Sequence, residues 1–99
     1  MNAQIAALGH PTRLSILRTL SRREHTVSQL AKKLHLRQPA TSQHLQVLRD
    51  ANLVSVRAEA NRRFYRANPQ ELDRLRRFLD GFWRDSLSSL KAAAERRGR

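Results

Sequence analysis

Apolar residues recur every three or four positions through the first fifty residues, a spacing that predicts amphipathic helices. A short helix over 1–9 precedes a second helix at Pro11, a residue that suits the first helical turn. A third helix opens at Thr26, the first residue of a Thr-x-x-Gln capping-box pattern. A fourth helix is expected over 38–50, so the first half of the chain is predicted to be helical.

The period changes near residue 53, where apolar and polar positions begin to alternate. Alternation predicts two strands, at 53–58 and 63–67, joined by a turn at 59–62. Leucines and aromatic residues at three- and four-residue steps then predict a long helix over 69–95. This helix is longer than a small domain needs to cover its own core. Part of its apolar face is therefore expected to serve association.

The order of these elements predicts a mainly helical fold with one small β-hairpin, the winged helix-turn-helix. A single domain over 1–99 is expected, with the helix-turn-helix at 26–50 and the wing at 53–67. A helix fits the major groove of B-DNA, and a second helix packed across it sets its angle. The segment 37–50 is therefore expected to enter the groove.

The charge balance supports a polyanionic partner. Lys and Arg number 20 against 8 Asp and Glu, a formal net charge of +12. Such a surface attracts nucleic acid without implying a sequence preference, and a solvated basic surface of a ribosome-associated protein is the alternative. The absence of cysteine excludes disulfides, thiolate metal sites and thiol redox sensing. Neither a signal-peptide start nor an apolar membrane span is evident, so a cytoplasmic, nucleoid-associated protein is expected.

Polar side chains that suit DNA contact cluster on the segment predicted to enter the groove. Gln pairs with adenine, Ser and Thr reach phosphates or bases, and Arg meets guanine or phosphate. The predicted DNA-binding residues of this segment are Arg37, Gln38, Thr41, Ser42, Gln43, His44 and Gln46. For His44, burial against the scaffold is the alternative. His10, His25 and His35 are interpreted as structural or solvated.

Five ordered stretches carry a family resemblance. They are PTRLSIL at 11–17, TVSQLA at 26–31, QPATSQHLQVLR at 38–49, ANLV at 51–54 and RFY at 63–65. Together they resemble the ArsR/SmtB family of bacterial repressors, over most of the chain. The family pattern often has Ser where Arg37 stands and Val where Thr41 stands.

This resemblance implies a homodimeric repressor that binds an inverted-repeat operator in double-stranded DNA. By the same analogy, Arg57, Arg62 and Arg63 of the wing contact the minor groove or the backbone. The resemblance also implies dimerisation through the helices at 1–9 and 69–95. The residues predicted for that interface are Ile5, Leu8, Leu72, Leu75, Leu79, Phe82 and Trp83.

Metal-sensing members of the family use cysteines before the recognition helix, or His with Asp or Glu on the last helix. The stretch 27–34 has no Cys, and no His follows His44, so no metal and no cofactor are expected. A small-molecule effector is left open. Trp83 with Phe78 and Phe82 suits a ligand pocket, although aromatics at helical spacing favour core or interface.

Two other functions remain as alternatives. One is a non-specific, nucleoid-associated DNA-binding protein, and the other is a winged-helix protein-interaction module. The basic wing argues against the protein-interaction module. An enzyme is not expected, because the chain lacks a Ser/His/Asp or Cys/His arrangement and a phosphate-cradling glycine loop.

Overall fold

The computed structural model describes residues 2–97, which form five helices and one two-stranded sheet. In chain order these elements are α1 (Asn2–Ala7), α2 (Pro11–Arg22), α3 (Val27–Leu34), α4 (Gln38–Asp50), β1 (Val54–Glu59), β2 (Arg62–Ala67) and α5 (Pro69–Arg97). None of the helices within this range has the length and apolar character that crossing a membrane requires.

Local hydrogen bonds set the ends of the helices that precede the wing. His10 caps α2, and its ring Nδ1 accepts the backbone N–H of Thr12 at 3.2 Å. Thr26 and Gln29 form the predicted capping box, with reciprocal bonds of 3.2 and 2.9 Å. His35 and Asn52 adopt left-handed φ values of 56° and 62°, and they close α3 and α4. Of these short-range signals, the residue pattern predicted the capping box at Thr26 and the left-handed Asn52, whereas the left-handed His35 was not predicted.

The hairpin turns at the predicted position. Strands β1 and β2 pair antiparallel through Glu59 and Arg62, which leaves only Ala60 and Asn61 to turn the chain. Ala60 takes a left-handed φ of 53° there. The four residues 59–62 therefore form the predicted turn, and its outer two residues, of opposite charge, are the last pair of the two strands.

The core lies where α2, α3 and α4 meet the base of the hairpin. Its fully buried side chains share an aliphatic character, and they are Ile16, Leu30, Leu45, Leu48 and Leu53. From α5 only Leu75 is buried among the described residues, at 3% exposure. Leu75 was predicted at the dimer interface, and this prediction is wrong: the side chain packs into the core of its own protomer. Beyond it α5 leaves the body, which makes the molecule 67 Å long against 25 and 21 Å.

Of the two interpretations of His25, structural or solvated, the structure supports the structural one. It is 2% exposed, and its backbone pairs with Tyr65 of β2 through N–O distances of 3.0 and 2.8 Å. Its ring Nδ1 lies 2.9 Å from the carbonyl oxygen of Arg23. The connection between α2 and α3 therefore runs along the free edge of β2 and ties the wing to the helices.

Leu48 and Val47 provide a matched test of this packing. Replacing Leu48 by Ala should lower the free energy of unfolding by about 2–5 kcal/mol, because it opens a cavity in a fully buried position. Val47 is 38% exposed on the same helix, and Val47→Ala should change stability by less than about 0.5 kcal/mol. Urea denaturation of both variants measures the difference. Equal losses would contradict the assigned core.

Candidate nucleic-acid interface

Helix α4 presents a polar face to solvent because its apolar side is held in the core. Gln38, Ser42, Gln43 and Gln46 are all exposed, whereas Leu45 and Leu48 are buried. The face is braced at both ends. At the start, Ser28 of α3 donates a hydrogen bond to Gln38 at 3.2 Å, and towards the end Gln46 donates to Asp50 at 2.8 Å.

Thr41 does not belong to this face. Its side chain is 0% exposed, and its hydroxyl donates to the backbone carbonyl of Arg37 at 2.9 Å. A side chain buried in this way has no route to a base or a phosphate, so the prediction of Thr41 as a DNA-binding residue is corrected to a packing role. Arg37 is exposed just before the helix and makes no side-chain capping bond.

His44 is turned towards α2 and is half-buried. Its ring centroid lies 4.6 Å from that of His10, the residue that caps α2. Burial, then the neighbouring His10, then Arg13 lower the pKa of His44 below its usual 6.5. This position favours the scaffold alternative, while the DNA contact of His44 stays a prediction.

The lowered pKa of His44 predicts a pH dependence of stability. The neutral ring is favoured in the folded chain, so its contribution is complete above pH 6.5 and is lost as the pH falls through the folded pKa. Urea denaturation should therefore show lower stability at pH 5.5 than at pH 7.5. In His44→Asn this loss should shrink. His35→Asn, at an exposed left-handed position that Asn tolerates, is the matched control and should behave like the parent.

The three wing arginines do not share one environment. The strand register pairs Arg57 with Phe64 and Glu59 with Arg62, so Arg57 and Arg62 lie on the Phe64 face of the hairpin. Arg63 points to the opposite face. Both arginines of the Phe64 face cover its ring, Arg57 at 4.6 Å and Arg62 at 5.1 Å from the ring centroid.

Arg57 is also engaged in ion pairs that the residue pattern did not predict. It donates hydrogen bonds to both carboxylate oxygens of Glu24 and to Glu59. Glu59 stands two residues along the same strand, so strand periodicity was a signal that pointed to it. Glu24 is 33 positions away in sequence, and no local pattern relates the two residues.

An open groove separates the tip of the wing from the start of α3. It has a volume of about 350 Å³, and its lining residues are Thr26, Val27, Ser28, Asn61, Arg62 and Arg63. Arg62 and Arg63 bring positive charge to its wing side. The groove, the polar face of α4 and the tip of the wing together form the candidate interface. Within residues 2–97, no three His, Cys, Asp or Glu side chains lie close enough together to hold a metal ion.

The second candidate surface is the apolar face of α5. Leu79, Phe82 and Trp83, all predicted for a dimer interface, are 36%, 57% and 60% exposed, and Ile5 of α1 is exposed as well. Leu8 and Leu72 are half-buried against the core. Three further apolar side chains that were not predicted for the interface are also exposed on α5, namely Phe78, Leu87 and Leu90. Their helical spacing was the signal that could have included them.

Comparison with known proteins finds a family that this chain matches. The model of the bacterial regulatory protein, arsR family, matches residues 10–56, from the cap of α2 to the first wing strand. The biofilm growth-associated repressor of Agrobacterium fabrum is 44% identical over 71 residues, which span 72% of this chain and 61% of that repressor. An HTH-type transcriptional regulator of Mycobacterium tuberculosis is 42% identical over 82 residues, 83% of this chain and 77% of that regulator.

The fold is shared with solved structures. An ArsR-like transcriptional regulator from a Rhodococcus species superimposes with a TM-score of 0.78 at 32% identity. The superposition covers 95% of this chain and 89% of the Rhodococcus chain. The predicted winged helix-turn-helix fold is thereby confirmed.

Proposed function

We propose that this chain, which belongs to the arsR family of bacterial regulatory proteins, is a homodimeric repressor that binds an inverted-repeat operator. Its family makes it a DNA-binding transcription regulator rather than an enzyme. The observation that carries the proposal is the polar face of α4, which the buried Leu45 and Leu48 hold outward beside a basic wing. A regulator that works on the genome acts in the cytoplasm, associated with the nucleoid.

Helix α4 is proposed to read the operator in the major groove. Gln38, Ser42, Gln43 and Gln46 are exposed along it, and glutamine forms paired hydrogen bonds with adenine. Gln38 and Gln46 are braced by Ser28 and Asp50, which restricts their rotamers before DNA is bound. Among these three glutamines, Gln43 has the least constrained side-chain amide, and we propose it as the main base contact. Arg37 at the helix entrance is proposed to contact a phosphate or guanine.

The tip of the wing is proposed to hold the DNA backbone. Arg62 and Arg63 lie at the tip and line the groove next to the start of α3. Contacts of arginine with phosphate position a protein on the duplex without reading its sequence. Such contacts make the binding depend steeply on salt.

The apolar face of α5 is proposed to meet a second copy of the chain. Leu79, Phe82, Trp83, Leu87 and Leu90 expose large apolar side chains along one helix, a pattern typical of an interface. A two-fold axis there would place two α4 helices at a fixed separation, and an operator read by such a dimer has the matching inverted symmetry. Repression as the outcome is supported by the Agrobacterium relative, which is named a repressor.

Selection of bound fragments from the source genome, followed by footprinting, tests sequence-specific binding. We expect protected half-sites with centres about 34–36 Å apart. Gln43→Ala should weaken operator binding by about 1–3 kcal/mol and leave the affinity for random duplex unchanged. Thr41→Val, two positions away in sequence but fully buried, should keep operator affinity. Uniform coating of random DNA, insensitive to Gln43, would instead establish the non-specific DNA-binding protein.

The dimer interface is tested by charge placed on the apolar face of α5. Leu79→Glu with Phe82→Glu should give monomers in sedimentation equilibrium, because four carboxylates would be buried across the two-fold axis. The operator affinity should fall at least about a hundredfold, since the two half-sites lose their linkage. Ser88→Glu adds the same charge away from this face and should stay dimeric. Dimers in the double variant would place the interface elsewhere.

A further inference from the structure

We infer that Glu24 is a positioning residue: it holds Arg57 across β2, so that Arg57 orients the wing and does not contact DNA. This inference rests on the proposed function, because it assigns the wing's DNA contacts to Arg62 and Arg63. It also reverses the expectation that Arg57 is itself a DNA-binding residue. We call the contact between Glu24 and Arg57 the wing latch.

The wing latch uses two of the three guanidinium nitrogens of Arg57. Nε of Arg57 donates to Oε2 of Glu24 at 2.9 Å, and Nη2 donates to the other oxygen of the same carboxylate. The remaining Nη1 donates to Glu59 at 2.8 Å. A planar fork bound to both oxygens of one carboxylate fixes direction as well as distance. No nitrogen of Arg57 is left without a carboxylate partner.

The position of Glu24 explains what the latch fixes. Glu24 lies in the connection between α2 and α3, and the next residue, His25, pairs with the outer edge of β2 at Tyr65. Arg57 belongs to β1, on the other side of β2, and is paired with Phe64. Its guanidinium therefore crosses the Phe64 ring, 4.6 Å from the centroid, to reach Glu24. One backbone bridge and one ion pair thus tie both strands of the wing to the helix-turn-helix.

The charge of the cluster argues against a phosphate contact by Arg57. One guanidinium lies between two carboxylates, Glu24 and Glu59, so these three groups together carry one negative charge, with Arg62 beside them on the Phe64 face. The hydrogen bonds that Arg57 donates to Glu24 and then to Glu59 raise the pKa of Arg57, and the bond that Glu24 accepts lowers the pKa of Glu24. Both partners of the wing latch are therefore ionised at neutral pH. A phosphate that approached Arg57 would have to displace a carboxylate and would meet the repulsion of both.

The latch acts on orientation more than on global stability. Both partners are partly exposed, with side-chain exposures of 48% for Arg57 and 34% for Glu24, and exposed ion pairs contribute little to the free energy of unfolding. The tip of the wing is exposed throughout and has few other contacts that would fix its angle. A small restraint at this point therefore decides where Arg62 and Arg63 lie relative to α4.

A set of conservative variants separates a latch from a phosphate contact. Arg57→Lys keeps the positive charge but loses the paired geometry, whereas Arg57→Gln loses both. If the latch holds, both variants and Glu24→Gln should weaken operator binding by a similar factor, roughly two- to fivefold. The double variant of Glu24→Gln and Arg57→Gln should be no worse than either single variant. Glu95→Gln, the same charge change on exposed α5, should leave the affinity unchanged.

The salt dependence of binding gives a readout that a lost structural contact does not move. Arg63→Gln should reduce the slope of log affinity against log salt by about one, the value for one lost phosphate contact. Arg57→Gln should leave this slope unchanged. If Arg57→Gln reduces the slope by one and Arg57→Lys binds like the parent, Arg57 contacts phosphate and the latch is overturned.

Amide hydrogen exchange on the free protein tests the latch without DNA. Glu24→Gln should speed exchange at the paired amides of β1 and β2 by several-fold relative to α4, and Glu95→Gln should not. Unchanged exchange in the wing would overturn the latch. A parent protein that shows no operator preference would overturn the proposed function, and the exchange result would still decide on the latch.

Discussion

Burial of Leu45 and Leu48 against the aliphatic core is the constraint on which the candidate interface depends. Each of these side chains is fully buried, so α4 can neither rotate about its axis nor slide without opening a cavity. The polar side chains on its other face are thereby held outward at fixed angles. Recognition by hydrogen bonds needs that precision, because a base contact tolerates only small errors in distance and direction.

Polar contacts add to the packing of the apolar core, and they join α4 to α1 and α5. Gln4 of α1 is buried and donates to the carbonyl of Ala51 at the end of α4 and to Glu71 at the start of α5. The end of the recognition helix is thus bonded to the first helix and, through it, to the last. A dimer formed through α1 and α5 would hold the two α4 helices through these same bonds, which makes the separation of half-sites a property of the fold.

The net charge of +12 overstates how much positive charge is free to meet DNA. Arg57 is held by two carboxylates, and on α5 Arg76 pairs with Asp73 and Asp80 at 2.9 Å each. The wing-tip residues Arg62 and Arg63 line the groove instead, and we propose them as the arginines that meet DNA. Composition indicated the class of partner, whereas the pairing separates the arginines that carboxylates hold from those at the wing tip.

The helices and strands of this protein follow from its residue pattern, because helical and strand periods and capping residues act over a few positions. The capping box at Thr26, the left-handed closure at Asn52 and the exposed face of α5 could all be predicted in this way. The roles of Thr41 and Leu75 depend on packing between elements, since a period tells which side of a helix a residue occupies but not what covers that side. The same holds for Arg57, whose partner Glu24 is 33 positions away and is brought near by the path of the chain around β2.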